Sequence, residues 1–194
     1  MQHPPFFTRK QTERLSLAQL NPQTQVAHHF KLYELTRSET AERRGVANQL
    51  TSDDCLRAAV HLANHVLDPI RQHHGRLSPN SVFRSQSLER VLKGRPAGWI
   101  STSPHTLGWA CDVEVPGVPT LDLALWLSQA LGNFDQIICE CFNPAQGPNS
   151  GWVHVSLAPP WVGSPNRREL LSYVADPMTG RMVYVQGLQA SPTV

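Results

Sequence analysis

The sequence predicts an α+β chain, a small and mostly antiparallel sheet with helices packed on one side. Three observations point there. Helical and strand-like periodicities interleave along the chain, and the strand segments are few and short. The last of them follows a turn at Asp176-Pro177-Met178-Thr179-Gly180, as the return arm of a hairpin. No internal repeat interrupts this order.

Residues 1–29 are polar, rich in Gln, Pro and His, and read as an N-terminal arm that is ordered only where something holds it. Phe30-Lys31-Leu32-Tyr33-Glu34-Leu35 leads to Thr36, which forms a capping box with Glu39 for a short helix ended by Gly45. The clearest helix follows the loop 46–51. Ser52 caps it, Asp53 and Asp54 complement its dipole, and Leu56, Val60, Ala63, Leu67 and Ile70 form one buried stripe. Pro69 kinks or shortens its last turn, and Gly75 ends it. Ser81–Arg84 reads as a strand, and Ser85 or Ser87 starts a helix through Leu88, Val91 and Leu92 that stops at Gly94. After a long loop, residues 108–115 alternate as a strand, and Pro116-Gly117-Val118-Pro119 is a turn. Thr120 opens a helix carried by Leu121, Leu125, Trp126 and Leu127 and ended by Gly132. Residues 134–142 and 152–157 are strands. A short helix is expected near Arg167–Tyr173, before the hairpin that returns through Met182-Val183-Tyr184-Val185. The organisation is an arm at 1–29, a domain at 30–173 and a hairpin-like extension at 174–194.

With 194 residues, 40% of them hydrophobic, the chain can bury a sizeable core. A net charge of +2 with no long basic run argues against a nucleic-acid partner. No apolar stretch approaches the ~20 residues of a membrane span, and Met1-Gln2-His3-Pro4-Pro5-Phe6-Phe7 lacks the layout of a signal peptide. Cys139 and Cys141 form a C-x-C pair that would share one face of a strand. With only Cys55 and Cys111 besides, the cysteines read as buried reduced thiols rather than a zinc knuckle. No G-x-S-x-G, phosphate loop or dinucleotide fingerprint occurs.

The chemistry concentrates in Ser103-Pro104-His105-Thr106-Leu107-Gly108-Trp109-Ala110-Cys111-Asp112 and in Trp152-Val153-His154. Side chains alternate along a strand, so Gly108, Ala110 and Asp112 share a face, as do Trp152, His154 and Ser156. The small residues at 108 and 110 are expected to leave room above the sheet. If the two strands are neighbours, His105, Asp112 and His154 converge. Two neutral imidazoles and a carboxylate are a ligand set for a catalytic zinc that keeps a fourth position for water. Taken singly, each has an ordinary reading: a solvated loop histidine, a hydrogen-bonded strand acid, a satisfied core histidine. His61 and His65 stand at i and i+4 but lack the glutamate of H-E-x-x-H. His28-His29 and His73-His74 read as solvated.

The pattern S-x-H-x-x-G-x-A-x-D, followed by W-V-H, resembles the zinc D-alanyl-D-alanine carboxypeptidase family, in the short form common in phages and prophages. The likeness runs from about Phe30 to about Tyr173 and includes Phe83-Arg84-Ser85, Asp112-Val113-Glu114-Val115-Pro116-Gly117 and Phe134-Asp135-Gln136-Ile137-Ile138. The resemblance implies a Hedgehog-like zinc peptidase fold and an endolysin-type or carboxypeptidase activity on peptidoglycan stem peptides or cross-links. It also implies action on the cell wall from the host cytoplasm or the virion. It makes His105, Asp112 and His154 the ligands of one zinc ion, and Arg84 the holder of a substrate oxygen near it. Relatives carry an acid three residues before the last histidine, or a histidine five before it. This chain has Gly151 and Asn149 there. Glu140, which shares a strand face with Gln136, is the remaining candidate for the general base, and Asp135 has the opposite parity. Structural pairing of Glu140 with an arginine, or of Arg84 with a surface acid, is the ordinary alternative. Trp99 or Trp152 would wall the cleft or pack in the core. A second functional class stays open: a virion or tail component that keeps the peptidase fold with little or no catalysis and meets other virion proteins through its N-terminal arm.

Overall fold

Alternating apolar residues in three short segments build the centre of the sheet. Cys111 and Val113, Ile137 and Cys139, and Val153 and Val155 are all fully buried, and they face the helices. The computed structural model describes residues 4–189 and has five strands: β1 (Ala110–Val113), β2 (Gln136–Glu140), β3 (Trp152–Ser156), β4 (Glu169–Ala175) and β5 (Met182–Gln186). Their order is β1-β3-β2-β4-β5, antiparallel throughout except for the parallel pair β2–β4. The α+β class is therefore as the sequence predicts.

Among the described residues six α-helices accompany the sheet: α1 (Arg9–Thr12), α2 (Glu39–Arg44), α3 (Asp53–Leu62), α4 (Asp68–His74), α5 (Gln86–Leu92) and α6 (Thr120–Ala130). α6 packs against β2 and β3, and α3 against β1. Ser52 caps α3 through its side chain, and all five stripe residues from Leu56 to Ile70 are fully buried. Between α3 and α4 the chain makes a π turn, Ala63–Leu67, in which the Asp68 N–H reaches back to the Ala63 carbonyl. Pro69 has no N–H to give the preceding turn, and the wider turn absorbs that loss without ending the helical run. Among the described residues no helix is long and apolar enough to cross a membrane.

The π turn also aims two polar side chains at the N-terminal segment. Asn64 accepts the Phe6 and Phe7 N–H groups and donates to the Val26 carbonyl. Buried Asp68 accepts the backbone N–H groups of His28 and His29 and pairs with the His29 ring. Val26 and Ala27 thereby enter the core. Neither histidine pair read as solvated is merely that: His28 meets the Pro4 carbonyl, and His73 stacks on Trp126 at 4.6 Å.

Several elements differ from expectation. α2 is capped by Ser38 rather than Thr36, with Gly45 in the left-handed conformation after it. α6 buries Leu123, Ala124 and Leu127, while Leu125 is exposed. The helix expected near 167–173 is strand β4. Arg168 has φ +57°, which interrupts helical geometry, and Arg167 forks onto Asp135 at 2.6 and 2.8 Å. The Arg168 and Glu169 N–H groups then bond the Phe134 and Asp135 carbonyls and zip the segment onto the open edge of β2. The demand of an unpaired strand edge outweighs local helix propensity.

Candidate metal centre

His105 is held before its ring is considered. It lies in a 3₁₀ turn, Pro104–Leu107, closed by Gly108 at φ +73°. A Cβ at Gly108 would stand 2.6 Å from the Cys55 carbonyl oxygen of α3, so this glycine lets the turn sit directly on helix backbone. Ala110 is likewise fully buried. The small residues of the motif thus serve close packing, and the expectation that they clear space for an ion is corrected.

The segment Ser81–Arg84 is the splint for two of the candidate ligands. It forms only one bridge, Ser81 with Asp112, rather than the expected strand. Its polar groups fan out instead. The Arg84 N–H donates to the His105 carbonyl, and the Val82 carbonyl accepts from His105 Nδ1 at 2.6 Å. That contact places the ring proton on Nδ1 and leaves the Nε2 lone pair facing the sheet, the usual way an outer partner fixes a ligand tautomer.

Asp112 and His154 are register partners on β1 and β3. His105 Nε2 stands 3.2 Å from His154 Nδ1 and 3.2 Å from Asp112 Oδ1, and the last two are 2.9 Å apart. Around a tetrahedral zinc with bonds near 2.0–2.1 Å, neighbouring donors stand about 3.3 Å apart. The triangle therefore has the size such an ion requires, with donor types that suit it. All three residues are buried, and this is the one group of three or more converging His, Cys, Asp or Glu donors among the described residues. The group can bind a metal ion.

Electrostatics support the same reading. Burial by itself would raise the Asp112 carboxyl, yet the charge and hydrogen bonds of His105, then His154 and Arg84, hold it far below the usual carboxylate range. Burial lowers His105 despite the opposing pull of Asp112, which favours the neutral imidazole that a metal needs.

Arg84 does not extend into open space. Its Nε donates to Ser81 Oγ at 2.7 Å, Nη2 bonds Asp112 Oδ2, and Nη1 lies 3.5 Å from Glu89 Oε1. Glu89 is fully buried and also takes Lys93 and the Ser101 hydroxyl, each at 2.7 Å. Arg84 thus hydrogen-bonds Ser81 and Asp112 and lies beside Glu89 Oε1 without a hydrogen bond to it, so in this geometry it orients the Asp112 carboxylate. The Glu89–Arg84–Asp112 chain was not visible in the sequence, where Glu89 lies in α5 just after Arg84 and Asp112 lies beyond the long loop that follows.

Glu140 lies on the same sheet face as His154, opposite Trp152. Burial raises its carboxyl above the ordinary range. His154, Arg84 and the Trp152 indole offset part of that, and Asp112 adds to it. The indole Nε1 is buried and, although near Glu140, makes no hydrogen bond of proper geometry. Asp135 points elsewhere and serves Arg167. Gly151 explains why an acid is missing there: with φ +72°, a Cβ would fall 2.1 Å from the Glu140 carbonyl oxygen. Cys141, at φ +58°, breaks the alternation that would have set it beside Cys139. Burial pushes the Cys139 thiol up to about 12, as an inert core thiol requires.

His61 and His65 are neighbours at 4.3 Å, with Trp161 edge-on to His61. No third donor joins them among the described residues. Trp99 lies beneath Lys93 and Arg95. No protein-family model matches this chain, and no curated protein matches it significantly.

Proposed function

We propose that the chain is a zinc-dependent amidohydrolase that cleaves the stem peptides or cross-links of peptidoglycan. The observation that carries the proposal is the convergence of His105 Nε2, His154 Nδ1 and Asp112 Oδ1 within 3.2 Å of one another, on one face of the sheet. The zinc D-alanyl-D-alanine carboxypeptidase resemblance of the motifs supplies the substrate class.

His105, Asp112 and His154 would hold the ion. When bound, zinc supplies Lewis acidity and brings the pKa of water toward ~7. The chain's own residues do the rest. Val82 fixes the His105 tautomer, and Arg84 holds Asp112 from its second oxygen. Glu140 takes a proton from the attacking water and returns it to the leaving amine. Its raised pKa brings it closer to the operating pH of such a base. Trp152 is the register partner of Glu140 on β3.

The test is release of free amines from purified peptidoglycan by the zinc-loaded protein and by His105→Ala. The proposal expects turnover from the first, none from the second, and loss of activity on chelation that zinc restores. One zinc per chain with no turnover on peptidoglycan or its peptides would refute the hydrolase reading and favour a structural role in the virion.

A further inference from the structure

The hairpin beyond Ala175 adds to the face that carries the metal donors. Tyr173 on β4 and Tyr184 on β5 are register partners, with ring centroids 4.5 Å apart and planes at 33°. Tyr173 lies opposite Glu140, and Glu140 lies opposite Trp152. One row across the sheet therefore reads Trp152, Glu140, Tyr173, Tyr184. The adjacent row on the same face begins with Asp112 and His154 and ends at Gln186. Strands lie about 4.8 Å apart and same-face rows about 7 Å apart. By these spacings Tyr173 and Tyr184 stand roughly 12 and 16 Å from His154, with Glu140 on the strand between.

Folding does not explain Tyr184. It lies on an edge strand and leaves 60% of its surface in solvent, with Tyr173 covering part of the remainder. Its same-face neighbour Gln186 is exposed and offers an amide donor and acceptor. A flat ring beside a free amide suits a ligand that is apolar on one face and polar around its rim. A pyranose is such a ligand. Its axial C–H bonds meet the negative face of an aromatic ring, and its hydroxyl or acetamido groups reach the amide. An apolar peptide side chain would call for a closed apolar pocket instead.

We infer that Tyr173 and Tyr184 form a saccharide subsite, which binds a sugar ring of the glycan strand that carries the stem peptide. This rests on the peptidoglycan reading above. It makes the C-terminal hairpin part of the substrate surface, set on the Glu140 side of the centre.

The experiment uses the full chain and a β-1,4-linked N-acetylglucosamine tetramer, titrated into metal-free and zinc-loaded protein by calorimetry. The tetramer is expected to bind both forms. Tyr184→Thr, which keeps strand propensity but removes the ring, is expected to weaken binding about fivefold or more, and Tyr184→Phe to retain it. In turnover, Tyr184→Thr is expected to lower the ratio of kcat/KM for glycan-linked over glycan-free stem peptide by a similar factor. Wild-type protein that does not bind the tetramer overturns the inference, as does equal binding by a folded Tyr184→Thr variant. Tyr184-dependent saccharide binding without peptide cleavage upholds the subsite and refutes the hydrolase. Cleavage with no response to the glycan does the reverse.

Discussion

Asp112 is the residue on which the site turns, because each of its oxygens has a different partner. Oδ1 faces the two imidazoles and Oδ2 faces Arg84, which Glu89 holds in turn. Outer partners of a metal ligand typically affect affinity 10–100-fold. Glu89→Gln is therefore expected to weaken zinc binding by about tenfold or more, read by competition with a chelating dye, while circular dichroism stays unchanged. Unchanged affinity would remove Glu89 from the account. Glu140 carries a second expectation. Its carboxyl is raised, so the folded protein holds that proton more tightly than the unfolded chain does. Below the ordinary glutamate pKa the residue is neutral in both states and has no effect. Above the raised folded value, the buried charge costs stability. Glu140→Gln should stabilise the metal-free protein at pH 7, with the gain vanishing as pH falls below about 4.5, as thermal melts across pH will show. The same variant should lower kcat by about 10²–10⁴. Asp112 and His154 were legible in the sequence because strand parity is a strict period of two, whereas His105, in a turn ahead of the strand, was legible only from the motif. The Val82 carbonyl and Glu89 were not, since Val82 lies in an irregular segment and Glu89 acts from α5 only through the Arg84 side chain, and no periodicity encodes either.

At the scale of elements, two glycines decide where backbones can meet. Gly108 sets the His105 turn against α3, and Gly151 lets the turn before β3 pass the end of β2. Both have positive φ and no room for a Cβ. Gly108→Ala and Gly151→Ala are each expected to cost about 3 kcal/mol in urea unfolding. Alanine at Gly45, which has positive φ but nothing within 4 Å, should cost less. Equal losses at all three positions would mean that φ alone matters. Helices α3 and α6 were readable because capping residues and apolar spacing agree there. The segment 167–173 was not. Its residues favour a helix locally, and only the open edge of β2 draws them into a strand. Ser81–Arg84 misled in the opposite direction, since its extended backbone serves several neighbours rather than one ladder.

At the scale of the whole molecule, one sheet separates two functions. Its inner face, with α3 and α6, holds the core, and its outer face carries the donors, Glu140 and the tyrosines. Metal binding should therefore stabilise the entire fold. At free zinc about 100 times Kd the gain is about 2.7 kcal/mol, a rise in Tm of roughly 5–10 °C for a chain of this size. The claim beneath all of this is that His105, Asp112 and His154 form a single metal centre. Zinc content of the purified chain and of three single alanine variants tests it most directly. One equivalent is expected in the native protein, with a large loss in each variant. Native protein without zinc after saturation and dialysis, or variants that keep the full equivalent, would contradict it.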